Sequence, residues 1–129
     1  MHKSFIVLLC LLSFTACKKE QDCTKPAGLD GEWEWVQSFG GFGGWTITPE
    51  SEGYRIKLVI DDLLYREYRN DSLIWESQYD LVIRPDSAWN TNTYIEFDNG
   101  NVQAIYFDRD TLKLYELHAD GFSHEYKRK

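Results

Sequence analysis

One His-and-carboxylate cluster, two carboxylate pairs and a Ser/His inventory are the first places to look for chemistry in this chain. His118, Asp120 and His124 bracket a turn near the C-terminal end, within reach of a shared metal ion. A zinc site, however, takes three or four ligands at characteristic spacings, commonly with Cys or a helical His pair. Neither accompanies these residues, and turns recruit Asp for its bonds to nearby backbone amides, so no metal is expected. The carboxylates Asp61 and Asp62, and Asp108 with Asp110, also fall at expected turns. They read as turn residues rather than as a glycosidase-like acid and base. Ser and His are both present, but no strand-turn-helix nucleophile motif or triad pattern surrounds them. The chain is expected to be non-enzymatic and to need no cofactor.

Charges in the apolar phase of a strand are more informative. Arg66 shares its phase with Leu64 and Tyr68, and Glu116 shares its phase with Leu112 and Leu114. Pointing inward, each would need a partner, because an unpaired buried charge costs several kcal/mol. They could pair with each other or clamp the charged group of a ligand. Alternatively, strand twist or a bulge turns them to water. A second unusual stretch is residues 39–52, FGGFGGWTITPESE, where Gly40, Gly41, Gly43 and Gly44 separate Phe39, Phe42 and Trp45. No Lys follows and no helix begins, so it is not a phosphate cradle. Two readings stay open: a packed lid over a barrel mouth, or an exposed apolar gate or contact loop. Phe39, Phe42 and Trp45, with Trp35, Arg66 and Glu116, are the candidate ligand and lid residues.

The elements that must position these side chains follow a period of two. Tyr54, Ile56, Leu58 and Ile60 alternate with Arg55, Lys57, Val59 and Asp61; Trp33 and Trp35 alternate with Glu32 and Glu34; Phe122, His124 and Tyr126 alternate with Ser123, Glu125 and Lys127. Alternation puts one side of each strand in a core and the other in water. Turn residues separate the runs at Asn70-Asp71, Asp98-Asn99-Gly100 and Ala119-Asp120-Gly121. Eight strands are expected, at 31–38, 53–60, 63–69, 73–83, 93–98, 101–107, 111–117 and 122–128, with no helix. Short connections imply an all-β antiparallel up-and-down meander. Eight strands can close into a barrel that removes exposed edges and either fills with side chains or holds one small ligand. The alternative is an open sandwich of the same strands.

Composition narrows the partners. The chain of 129 residues carries 14 basic and 21 acidic side chains, a net charge of −7, with no basic cluster able to follow phosphates. Nucleic acid is therefore not an expected partner, and the chain is expected to be monomeric. With 3 cysteines in the chain, at 10, 17 and 23, packing must supply the stability, and 5 Trp with 8 Tyr provide the apolar area.

The N-terminal residues read as an address. Lys3 precedes an uncharged run, FIVLLCLLSF at 5–14, too short to span a bilayer but suited to the core of a secretory signal. Phe14-Thr15-Ala16-Cys17, followed by Lys18-Lys19-Glu20, resembles a bacterial lipobox. The resemblance implies cleavage before Cys17 and acylation of that residue. Residues 1–16 are thus expected to be a signal peptide and 17–28 an acylated Cys with a flexible tether. Residues 29–129 would be one folded domain, held at a membrane by its lipid. An outer-membrane lipoprotein, periplasmic or surface-exposed, is expected. The role of Cys23 stays open.

Gly31-Glu32-Trp33 on the first strand is similar to the Gly-x-Trp motif of lipocalins, and the chain ends Tyr126-Lys127-Arg128. By this resemblance Trp33 closes the barrel floor with Arg128 stacked on it, a cation–π contact. The run Leu29 to Val36, the Gly-Gly loop with Thr48-Pro49 and Gly53-Tyr54, Asp110 to Leu114, and Asp120 to Tyr126 resemble the small lipocalin-like lipoproteins of Bacteroidota. The resemblance spans residues 29–129. It implies a small lipocalin-like β-barrel, with short strands, that binds a small apolar ligand. A non-carrier structural or inhibitor-like lipoprotein with a filled barrel is the alternative, and a cavity of roughly 300 Å³ or more would separate the two.

Overall fold

The computed structural model of the chain describes residues 28–88 and 90–129, with 86–88 described by backbone alone. The signal peptide read at 1–16, Cys17, Cys23, the tether up to residue 27 and Trp89 lie outside the described residues. The described chain contains β1 (Gly31–Gly40), β2 (Trp45–Ile47), α1 (Pro49–Glu52), β3 (Ile56–Ile60), β4 (Leu64–Arg69), β5 (Ser72–Ala88), β6 (Thr91–Phe97), β7 (Val102–Asp108), β8 (Thr111–Glu116) and β9 (Phe122–Arg128).

Strands β1 and β3 to β9 pair antiparallel in chain order, and β9 returns to pair with β1. The sheet is therefore a closed eight-stranded up-and-down barrel, with the meander the short connections imply, and not the open sandwich of the same strands. Local chemistry fixes the turns. Asn70 and Asp71 both take positive φ, 47° and 68°, the left-handed pair that suits a tight hairpin between β4 and β5. The Asp61 carboxylate accepts from the amides of Leu63 and Leu64, both at 2.9 Å, and so closes the turn from β3 to β4.

The stretch expected to be irregular is more ordered than its composition suggests. Residues 45–47 form a ninth short strand beside the end of β1, with Ser38 opposite Ile47 and Gly40 opposite Trp45. One helical turn follows, capped by Thr48: its hydroxyl accepts from the Ser51 amide at 3.2 Å, and the Ser51 hydroxyl accepts from the Thr48 amide at 2.9 Å. Four residues are too few for periodicity to register. Gly40 is required where β1 meets β9: φ is 149°, and a Cβ there would press into the Gly121 carbonyl.

One end of the barrel is solid. Leu29, Trp33, Leu58, Ile60, Ile95, Ile105 and Leu112 are at most 1% exposed. The Trp33 indole donates to the Leu29 carbonyl at 2.9 Å. The Arg128 guanidinium lies over the Trp33 ring, 4.1 Å from its centroid. It also donates to the carbonyls of Arg109 (3.1 Å), Asp30 (2.9 Å) and Gly28. A side chain at Gly31 would meet this guanidinium, with its Cβ 2.8 Å from Nη1, so the glycine of Gly-x-Trp makes room for the cap.

Candidate binding cavity

The other end of the barrel is open, because three strands turn polar residues inward there. In β1 the register shifts between Trp35 and Gln37, a bulge at Val36 that buries Ser38 (2% exposed) in place of Gln37. In β8, Glu116 continues the inward phase of the buried Leu112 and Leu114. In β4 the inward pair is Tyr65 and Glu67. Register sets Glu67 between Leu58 of β3 and Trp75 of β5, both of which face the interior.

These strands enclose a cavity of about 530 Å³. Its walls are aromatic. Tyr65, Trp75 and Phe97 pack edge to face, with centroids 5.5, 5.0 and 4.8 Å apart, and Trp35 stacks on Tyr54 at 5.8 Å. Tyr126 and Leu114 form part of the lining, and Asn99, Asn101 and Gln103 contribute polar groups to it. The turns at 70–71 and 98–101 and the tip of the β1–β2 hairpin belong to this end. Gly28 and the Arg128 cap belong to the other, by the strand directions.

A polar chain crosses one wall. The Trp35 indole donates to Ser38 Oγ at 2.9 Å, and Ser38 Oγ lies 2.7 Å from His124 Nδ1. His124 Nε2 lies 3.1 Å from Glu116 Oε1. Glu116 Oε2 accepts the Phe122 amide at 3.0 Å and meets His118 Nε2 at 3.0 Å. An indole can only donate, so Ser38 accepts from Trp35, and with a neutral imidazole its proton points to Nδ1. Nε2–H then donates to Glu116. Burial pushes the Glu116 carboxyl up. The Phe122 amide, the His124 hydrogen bond and the positive charge that His124 and His118 carry when protonated outweigh it and hold the carboxyl below its ordinary value. Burial likewise raises the phenols of Tyr65 and Tyr126, so both stay neutral hydrogen-bonding groups. Glu67 differs. Burial raises its carboxyl, with His124 and Arg69 opposing from a distance.

The residues singled out in the sequence separate into three sets. Trp35 and Glu116 line the cavity. Arg66 does not: it pairs with Asp61 at 3.0 Å and Glu76 at 2.9 Å on the outer side of β4. Of the two readings left open for Arg66, the outward one holds: the inward phase of β4 is one residue away, at Tyr65 and Glu67. Tyr65 and Tyr68 occupy opposite phases of LYREYR, and a register shift after Glu67 separates them, so the sequence offers an aromatic to either choice. Phe39, Phe42 and Trp45 are 54%, 93% and 65% exposed. They form an apolar hairpin tip beside the mouth and not a packed lid. Among the described residues no group of three His, Cys, Asp or Glu side chains converges as metal ligands do. Glu67, Ser38, Tyr65 and Trp75 were missed as cavity residues. The alternation of Trp75, Ser77 and Tyr79 was the available signal for one of them, but the two bulges that set the rest leave no mark in the sequence.

No family model and no curated protein sequence matches the chain. Among solved structures, a de novo designed fluorescence-activating β-barrel is similar to it, at 13% identity over 78% of this chain and 93% of its own, with a TM-score of 0.40.

Proposed function

We propose that the protein is a monomeric outer-membrane lipoprotein, periplasmic or surface-exposed, of the small lipocalin-like type. Its barrel binds one small molecule with an apolar body and does not transform it. The single observation that supports binding is the aromatic cavity of about 530 Å³, within the range of small-ligand sites. A non-catalytic role is supported by Ser38. Although it adjoins His124 and Glu116, it is 2% exposed and its oxygen already holds the Trp35 indole, so it is placed to orient Trp35 and not to attack a substrate. The anchor rests on the residues around Cys17. Gly28, the first described residue, lies at the solid end, opposite the mouth.

The test is a titration of the full chain with an environment-sensitive apolar dye, after organic extraction and mass spectrometry for co-purified molecules. Saturable binding at one site, weakened about tenfold by Tyr54→Ala and unchanged by Phe42→Ala, is the expected result. A dye-silent barrel would remove the binding role. Function would then move to the exposed Phe39, Phe42 and Trp45 tip, an apolar surface of the kind that contacts other proteins. Incorporation of labelled fatty acid, lost in Cys17→Ala, tests the anchor separately.

A further inference from the structure

Glu67 occupies a position at which an apolar side chain would pack without cost. Its register neighbours on both sides, Leu58 and Trp75, belong to the core and its margin. Glu67 lines the cavity. Among the described residues, no hydrogen bond or ion pair engages it. Glu116, the other carboxylate in the wall, is fully engaged by Phe122, His124 and His118. His124 cannot turn to Glu67 without breaking its bonds to Ser38 and Glu116, because both ring nitrogens are in use. Arg69 is on an exposed strand end and stacks over the Tyr54 ring at 4.3 Å. One carboxylate in the cavity is left with no direct hydrogen-bond or ion-pair partner among the described residues, only the more distant influence of His124 and Arg69.

The walls around it suit a cation. Trp35, Tyr54, Tyr65, Trp75 and Phe97 present ring faces and edges to the cavity, and ring faces attract ammonium groups, most strongly where water is excluded. Among the described residues no Lys or Arg lines the cavity. A carboxylate or phosphate ligand would bring like charge against Glu67 with no Lys or Arg in the lining to receive it, and both lining histidines already turn to Glu116; a neutral ligand would leave Glu67 desolvated and unpaired. Resting on the binding reading above, we propose that the ligand is an organic cation: an ammonium group held by Glu67, carried on an apolar or aromatic body that fills the ring-lined space.

Calorimetric titration of the full chain with three probes of one skeleton tests this: 2-(1-naphthyl)ethylammonium, 2-(1-naphthyl)ethanol and 3-(1-naphthyl)propionate. The ammonium is expected to bind about tenfold or more tightly than the alcohol, the difference a charge-assisted hydrogen bond supplies, and the propionate weakest. Glu67→Gln, which keeps the shape, should erase the ammonium preference and leave alcohol affinity within about twofold. Glu67→Asp should restore part of it, and Glu116→Gln should change the preference little. Equal binding of all three probes, or a preference that survives Glu67→Gln, overturns the cation assignment and leaves the binding cavity standing. If none of the three binds, while the apolar dye does not bind either, the cavity reading and this one fall together.

Discussion

The cap at the solid end permits a worked prediction. Replacing Arg128 with Met keeps much of the aliphatic stem but removes the guanidinium over Trp33 and its donors to the carbonyls of Gly28, Asp30 and Arg109. The cation–π contact is worth about 0.5–2 kcal/mol. Each hydrogen bond contributes about 0.5–1.5 kcal/mol net, and these carbonyls lie near the barrel rim, where water can take over part of the loss. The sum expected for Arg128→Met is about 3 kcal/mol of lost stability. For a domain of roughly 100 residues, each kcal/mol shifts Tm by about 4–8 °C, so the melting temperature should fall by roughly 10–25 °C. Arg128→Lys should recover only about a third, because one ammonium cannot reach three carbonyls and stack on the indole at once. Thermal unfolding followed by circular dichroism, on the full chain and both variants, reads the effect. A fall of less than about 4 °C for Arg128→Met would refute the reasoning, since it would make the cap a surface contact that the barrel does not need.

Three further outcomes are expected. Glu67 has its carboxyl raised above the ordinary value of 4.5, so the folded state holds the proton more tightly than the unfolded one. Stability should fall as pH rises through and above that value, and Glu67→Gln, which cannot ionise, should be more stable than the parent at neutral pH; a destabilised variant in pH-resolved urea titrations contradicts this. Glu116 has the opposite sign: burial raises its carboxyl, but the Phe122 amide and the two histidines lower it further. Its contribution is present above 4.5 and lost as pH falls through its depressed folded-state value, so Glu116→Gln should narrow the gap to the parent in strong acid, and a gap that is independent of pH would dismiss the linkage. Gly40→Ala, at φ 149° and facing the Gly121 backbone, should cost about 1–3 kcal/mol; unchanged denaturant midpoints would show that the two strands can part without penalty.

Ligand access follows from the direction of the barrel. The Arg128 cap and Gly28 share the solid end, opposite the mouth. The net charge of −7 also favours the approach of cations over anions.

Strand periodicity, turn residues and short connections were sufficient to read the all-β meander from the amino acids alone, with a closed barrel favoured over an open sandwich and the β1–β9 pairing deciding between them. Each is a local property: side chains alternate across a strand, and Asp, Asn and Gly select tight turns whatever lies elsewhere in the chain. The inward phase of β1, β8 and β9 was legible for the same reason, which is why Trp33, Trp35 and Tyr126 were recognisable as interior residues, while Glu116, in the same phase as Leu112 and Leu114, stayed open between the interior and water. The phase of β4 was not. LYREYR presents an aromatic on either face, and only pairing with Leu58 and Trp75 selects Glu67 over Arg66 as the residue that points inward. The Val36 bulge that brings Ser38 to Trp35 and His124 depends on how β1 must bend to meet β9, across a separation of more than 80 residues. Whether the apolar hairpin tip covers the mouth or stands clear of it was equally open to the sequence. Alternation and turn chemistry act within a few residues, whereas register, bulge position and cavity volume are set by strands that meet only when the barrel closes.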